Sequence, residues 1–129
     1  MPHMVANLAL FGHSGLWGVP DIDRTETMII LGGNPMASNG SVWTVPDFRN
    51  RAKALQKRGG QLVVIDPRRT ETAKIADRHL FIRPATDGLL LVALLKAVLT
   101  HPERPALLDY IDNLDAVAEA VSGFDSGAC

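Results

Sequence analysis

The chain has 129 residues, 47% apolar and 21% charged, with a formal net charge of -1. That length fits one domain with a real core, hiding roughly two thirds of the unfolded surface, and leaves no room for a large multidomain enzyme. Spread, near-neutral charge gives no electrostatic footing for nucleic acid or an anionic membrane, no apolar run reaches the roughly 18 residues of a membrane span, and the sole cysteine, Cys129, excludes an intrachain disulfide framework and favours a reducing compartment.

Residues 1–20 are apolar and glycine-rich and read as a lead-in from a preceding region. Met4, Leu8 and Phe11 fall at helical spacing, so a short amphipathic helix stopped by Gly12 is expected. Such a stretch packs on a neighbour, and left uncovered it promotes self-association. His3 and His13 have no partner acid at ligand spacing, so local hydrogen bonding is expected of them and not a metal. Asp21 and Asp23 are placed to cap a turn.

Thr27-Met28-Ile29-Ile30-Leu31 reads as a strand buried on both faces that ends in Gly32-Gly33-Asn34-Pro35. Glycines let backbone N–H groups approach a ligand. The Asn34 amide donates and accepts, and Ser38, Asn39 and Ser41 add short polar groups, so the turn can cradle a diphosphate or serve as a structural β-turn. It matches neither the G-x-G-x-x-G fingerprint nor a Walker A loop.

Thr44 is placed to cap a helix, with Pro46 in its first turn and Asp47 at its third position. Phe48, Ala52 and Leu55 share one face. Arg49, Arg51, Lys53, Lys57 and Arg58 lie mostly elsewhere, and without interleaved aromatics they read as a solvated face and not as a nucleic-acid interface. Gly59-Gly60 then stops the helix and opens the central strand, residues 61–65.

That strand organises the chain, because it ends on Asp66-Pro67-Arg68-Arg69. A carboxylate at a strand tip accepts paired N–H groups from a base or hydroxyls from a ribose, Pro67 fixes the exit direction, and the arginines suit phosphate. A helical turn over 70–76 leads to a third strand, His79-Leu80-Phe81-Ile82, ending on Arg83-Pro84-Ala85-Thr86-Asp87-Gly88. Asp87 is placed both to cap the next helix and to meet a ligand. Three successive strand ends thus finish in polar turns, and in a parallel sheet one long ligand can touch Asn34, Asp66 and Asp87 together.

Residues 89–99 form a helix apolar almost all round, with Lys96 its only charge, as expected of a helix covered on two sides. Pro105 starts a helix carrying Leu107, Leu108 and Ile111. Another begins at Asp112 or Asn113, carries Leu114, Ala118 and Val121, and stops at Ser122-Gly123. The alternation predicts an α/β fold: a three-layer, Rossmann-like domain with a mostly parallel sheet and right-handed crossovers, over residues 21–129 with a C-terminal helical segment.

The ordered set Gly32-Gly33-Asn34-Pro35, Arg58-Gly59-Gly60, residues 64–73 (VIDPRRTETA), Ala76-Asp77 and residues 82–88 (IRPATDG) resembles the molybdopterin oxidoreductase family, which includes formate dehydrogenases, nitrate reductases and dimethyl sulfoxide reductase. The resemblance covers roughly residues 21–99 and implies one of the nucleotide-binding α/β domains around a molybdenum atom held by two molybdopterin guanine dinucleotides. It implies that Asn34 and Ser38 contact nucleotide phosphates and ribose. Asp66 would act on the guanosine portion, with Pro67 shaping the turn and Arg68 beside it, and Asp87 would accept from the guanine edge. A carboxylate matches the adjacent N1–H and amine donors of guanine, a pair that adenine lacks. The family commonly has glycine where this chain has Ala85, so either the backbone there does not need positive φ or the cofactor sits differently.

The resemblance further implies that the iron–sulfur cysteines and the molybdenum ligand lie in parts that match nothing here. No catalytic or metal-binding residue is assigned, and the partners implied are the remaining domains of a parent enzyme. The alternative is a stand-alone or degenerate α/β domain that binds no cofactor. A nicotinamide-linked dehydrogenase domain is disfavoured by the missing fingerprint.

Overall fold

Three short strands, β1 (Thr27–Leu31), β2 (Gln61–Ile65) and β3 (Arg78–Leu80), pair in parallel in the order β1-β2-β3. Met28 stands beside Leu62, Ile30 beside Val64, and Leu31 beside Ile65, while Ile65 in turn meets Leu80. The carboxyl ends of all three strands therefore lie along one edge. The computed structural model describes residues 2–102 and 112–124. It divides into two units, Met1–Phe81 and Ile82–Cys129.

In the first unit the connections are helical. They comprise α1 (Pro2–Phe11), the single turn α2 (Pro35–Ser38), a 3₁₀ turn at Ser41–Trp43, α3 (Phe48–Lys57) and α4 (Glu71–Ile75). This is the three-layer α/β class predicted from the sequence, with a parallel sheet flanked by helices as in Rossmann-like domains. Phe48, Ala52 and Leu55 of α3 and Ala73 of α4 cluster with Met28, Ile30, Leu62 and Val64. Leu55, Leu62 and Val64 are fully buried. Each contributes about 1.5–3 kcal/mol by leaving water. The other sheet face is less covered, and Ile29 is 52% exposed, against the expectation of a strand buried on both sides.

The paired glycines after α3 act by two different means. Gly59 takes φ +87, and its N–H and that of Gly60 bond to Gln56 O and Leu55 O at 3.0 Å each, a Schellman ending. Gly60 is needed for close approach, because a Cβ there would stand 2.2 Å from Leu55 Cδ1 and 2.7 Å from Glu26 O. Two members of the basic face brace the entry to β1. Arg58 donates to Ile22 O (2.5 Å) and Thr25 O (2.8 Å), and Arg51 pairs with Asp23. Asp21 caps the same turn, its Oδ1 accepting from Asp23 N at 3.1 Å.

Four further features differ from the sequence reading. The helix expected to start at Thr44 starts at Phe48, with Asp47 as N-cap. Val45 intervenes, only 4% exposed and donating its N–H to Asn39 O, so the chain dives into the core before the helix begins. Strand β3 ends at Leu80, short of Ile82. Asp66 N donates to Leu80 O, but the next donor on that side, Arg68 N, is turned back to Asp66 Oδ1, which ends the ladder. Gly12, at φ +70, does stop α1, yet Met4, Leu8 and Phe11 are all more than two-fifths exposed and form no buried stripe.

The fourth difference lies in the second unit, which holds α5 (Asp87–Thr100) and α6 (Leu114–Ser122). The N-cap of α5 is Thr86, and Asp87 is its first residue. No residue of α5 is buried, although so apolar a helix is expected to be covered on two sides. Its one charge beyond the first turn, Lys96, donates to Ser122 O (2.9 Å) and Phe124 O (2.7 Å), placing a cation on the carbonyls that end α6. The helix expected from Pro105 lies outside the described residues.

Candidate functional site

After Leu31 the chain leaves β1 through Gly32, at φ +60, whose N–H still reaches Ile65 O at 2.9 Å. Asn34 then N-caps α2, its carbonyl accepting from Ala37 N (2.9 Å) and Ser38 N (3.0 Å). Pro35 at the first helical position suits a site whose N–H has no intrahelical partner. A cleft of about 440 Å³ opens against this turn. Its lining includes Ile30, Gly32, Gly33, Asn34, Ser38 and Trp43. Asn34 and Ser38, two residues singled out from the sequence, share this cleft, and Ser38 Oγ donates to Asn34 O at 3.2 Å.

The Asn34 side chain points across the edge to the neighbouring loop. Its Oδ1 accepts from Thr72 Oγ1 (2.8 Å) and Thr72 N (3.2 Å), and its Nδ2 donates to Glu71 Oε2 (2.8 Å). Thr72, fully buried, also accepts from Met36 N at 3.1 Å. The loops after β1 and β2 are therefore stitched together by side chains at the head of the sheet. Glu71 is exposed, and its carboxyl is held below its ordinary value of 4.5. The hydrogen bond from Asn34 is the chief cause, followed by the backbone N–H of Glu71 and the charges of Lys74 and Arg68.

Asp66, 5% exposed, sits on the adjoining strand end and uses Oδ1 to accept from Arg68 N at 2.7 Å. This Asx turn swings Pro67, Arg68 and Arg69 to the surface and delivers the chain to Thr70, which N-caps α4 by accepting from Ala73 N at 3.2 Å. His79 Nε2 lies 3.1 Å from Asp66 O, so β3 braces the same turn. The structure thus joins Asp66, Pro67 and Arg68 in one turn. It links that turn to Asn34 through Glu71 and Thr72, to which the sequence reading gives no role of their own. Their signal is present in the run Thr70-Glu71-Thr72, three polar residues opening a helix too short to need them all for capping.

Asp87 belongs to the second unit, where it is exposed in the first turn of α5. Ahead of it Ala85 has φ +66, so the backbone does adopt the left-handed form where the resembling family commonly has glycine. No group of three or more His, Cys, Asp or Glu placed to hold a metal occurs among the described residues. Gly15 N donates to His13 Nδ1, the local bond expected there.

No protein-family model matches the chain. It is 38% identical over 80 residues to a nitrate reductase of Klebsiella oxytoca, covering 60% of this chain and 8% of that protein. It is 28% identical over 128 residues to a dimethyl sulfoxide/trimethylamine N-oxide reductase of Cereibacter sphaeroides, covering 97% and 14%. The catalytic subunit of an assimilatory nitrate reductase from Bacillus subtilis is 31% identical over 105 residues, covering 81% and 13%. These are low-identity homologies to members of the molybdopterin oxidoreductase family. The chain spans less than a fifth of the length of each of these three relatives. No helix among the described residues is long and apolar enough to cross a membrane.

Proposed function

We propose that this chain is a nucleotide-binding segment of a molybdenum-dependent oxidoreductase, holding the guanine nucleotide end of molybdopterin guanine dinucleotide and carrying no chemistry alone. The observation that supports it most is the edge itself. A glycine turn walls a cleft after β1, and a charged Asx turn stands on the adjoining strand end, where parallel α/β sheets take ligands.

The residues fit that end of the group. Gly32 and Gly33 leave backbone bare in the cleft, and a Cβ on Gly33 would stand 2.9 Å from Ile30 Cγ2. Ser38 is exposed beside them, and Arg68 is presented by the next turn. Asp66, nearly buried with one oxygen engaged, is assigned to hold the turn. The guanine-edge role of Asp87, exposed in the second unit, is taken from the family resemblance alone. The molybdenum supplies redox chemistry when the whole cofactor is bound, and the remaining domains of the parent enzyme would carry its ligands.

The test is amide perturbation in the 15N-labelled chain. Guanosine diphosphate should shift the signals of Gly33, Asn34, Arg68 and Asp87 more than adenosine diphosphate does. Equal or absent shifts at high ligand overturn the reading. They would favour a cofactor-free domain, which the internal use of the Asn34 amide supports.

A further inference from the structure

We infer that Glu71 is a positioning residue for the nucleotide edge, acting through Asn34 and touching no ligand itself. The inference rests on the nucleotide-binding reading above and concerns how the two strand-end loops are held at the spacing one ligand must bridge.

Asn34 stands at the mouth of the cleft, but its side chain serves the protein. Oδ1 is occupied twice by Thr72, and Nδ2 is drawn to Glu71 Oε2. An amide is symmetrical enough in shape to sit flipped, with nitrogen and oxygen exchanged. Here Thr72 N can only donate, which assigns the oxygen to that side, and the Glu71 carboxylate can only accept, which assigns the nitrogen to the other. Glu71 thus anchors the nitrogen end of the Asn34 amide, while Thr72 holds the oxygen end. Asn34 in turn fixes the β1 loop through the two N–H groups its carbonyl accepts at the start of α2.

The position is costly for a site that receives phosphate. A carboxylate exposed beside the cleft repels an anionic ligand, so a Glu71 without a positioning role would weaken binding by its charge. The two roles therefore predict opposite signs. If Glu71 is a bystander, Glu71→Ala removes a repulsive charge and tightens guanosine diphosphate. If Glu71 positions Asn34, Glu71→Ala frees the nitrogen end of the amide and weakens the ligand despite the lost repulsion, while Glu71→Gln, whose carbonyl still accepts from Nδ2, retains it. Because Glu71 is exposed, neither variant threatens the fold.

Guanosine diphosphate is titrated into the full chain and both variants at pH 7, following the amides of Gly33 and Arg68. The expected result is a loss of about five-fold or more in affinity for Glu71→Ala and a value within about two-fold of the unsubstituted chain for Glu71→Gln. Unchanged or tighter binding by Glu71→Ala, with the unsubstituted chain binding normally, overturns the inference alone. Absence of binding by the unsubstituted chain overturns the nucleotide reading and takes the inference with it.

Discussion

Asn34 and Thr72 are 38 residues apart in the chain, yet one oxygen of Asn34 accepts both the hydroxyl and the backbone N–H of Thr72. The same hydroxyl accepts from Met36 N, so Thr72 closes a buried relay between α2 and α4. Thr72→Val keeps the shape but leaves Met36 N–H without its partner and removes a donor from Asn34. It should cost about 1–3 kcal/mol, whereas Thr72→Ser, which keeps the hydroxyl, should cost less. Urea denaturation of both variants checks this, and a Thr72→Val chain as stable as the unsubstituted one, with the loss confined to Thr72→Ser, would mean that the methyl group matters and the relay does not.

The glycine pair after α3 separates conformational need from steric need. Gly59→Ala meets open space but must hold φ +87, which costs about 1–2 kcal/mol. Gly60→Ala drives a Cβ into Leu55 and into the Glu26 carbonyl that pairs with Gln61 at 2.8 Å, so both the helix and the β1–β2 ladder must shift. A loss of about 3 kcal/mol or more is expected there. Thermal melts of the two variants should rank Gly60→Ala as the more damaging, and the reverse order would refute the close approach.

Much of this architecture is legible in the residues. The strand over 27–31, the α3 face of Phe48, Ala52 and Leu55, and the glycine stop are readable because apolar periodicity and turn chemistry are local signals. What is not readable depends on partners distant in sequence. Nothing near Asn34 announces that its amide is spent on Glu71 and Thr72. The Asx turn of Asp66 is itself local, but nothing near it shows that turning Arg68 N back ends the pairing with β3 at Leu80. Val45 looks like one apolar residue among polar ones, and only its burial explains why α3 begins late. The strand ends can therefore be found as places from the residues alone, while the division of labour among them requires the structure.

Ala85 has φ +66 with a side chain that disfavours it. Left-handed backbone costs a non-glycine residue roughly 1–2 kcal/mol, and glycine gives back part of that through its freer unfolded state. Ala85→Gly should accordingly stabilise the second unit by up to about 1 kcal/mol. Comparing the denaturation midpoints of the chain and the variant decides it. A destabilised variant would show that this turn does not hold positive φ in solution.

Glu71 provides the pH dependence. Its folded carboxyl titrates below the ordinary 4.5, chiefly because it accepts the Asn34 amide, with the Glu71 backbone N–H, Lys74 and Arg68 adding to the effect. A depressed value means that the ionised form is the one the fold favours. The stabilisation it brings is complete above 4.5 and is lost as pH falls through the lower folded value. The link between the loops should therefore persist at neutral pH and loosen only in acid. A carboxyl-carbon NMR titration resolves this site. In Asn34→Ala the Glu71 midpoint should rise toward 4.5, because the leading cause is gone while Lys74 and Arg68 remain. A midpoint unmoved by that substitution would assign the shift to the helix start and the two cations, and would leave Glu71 without its hold on Asn34.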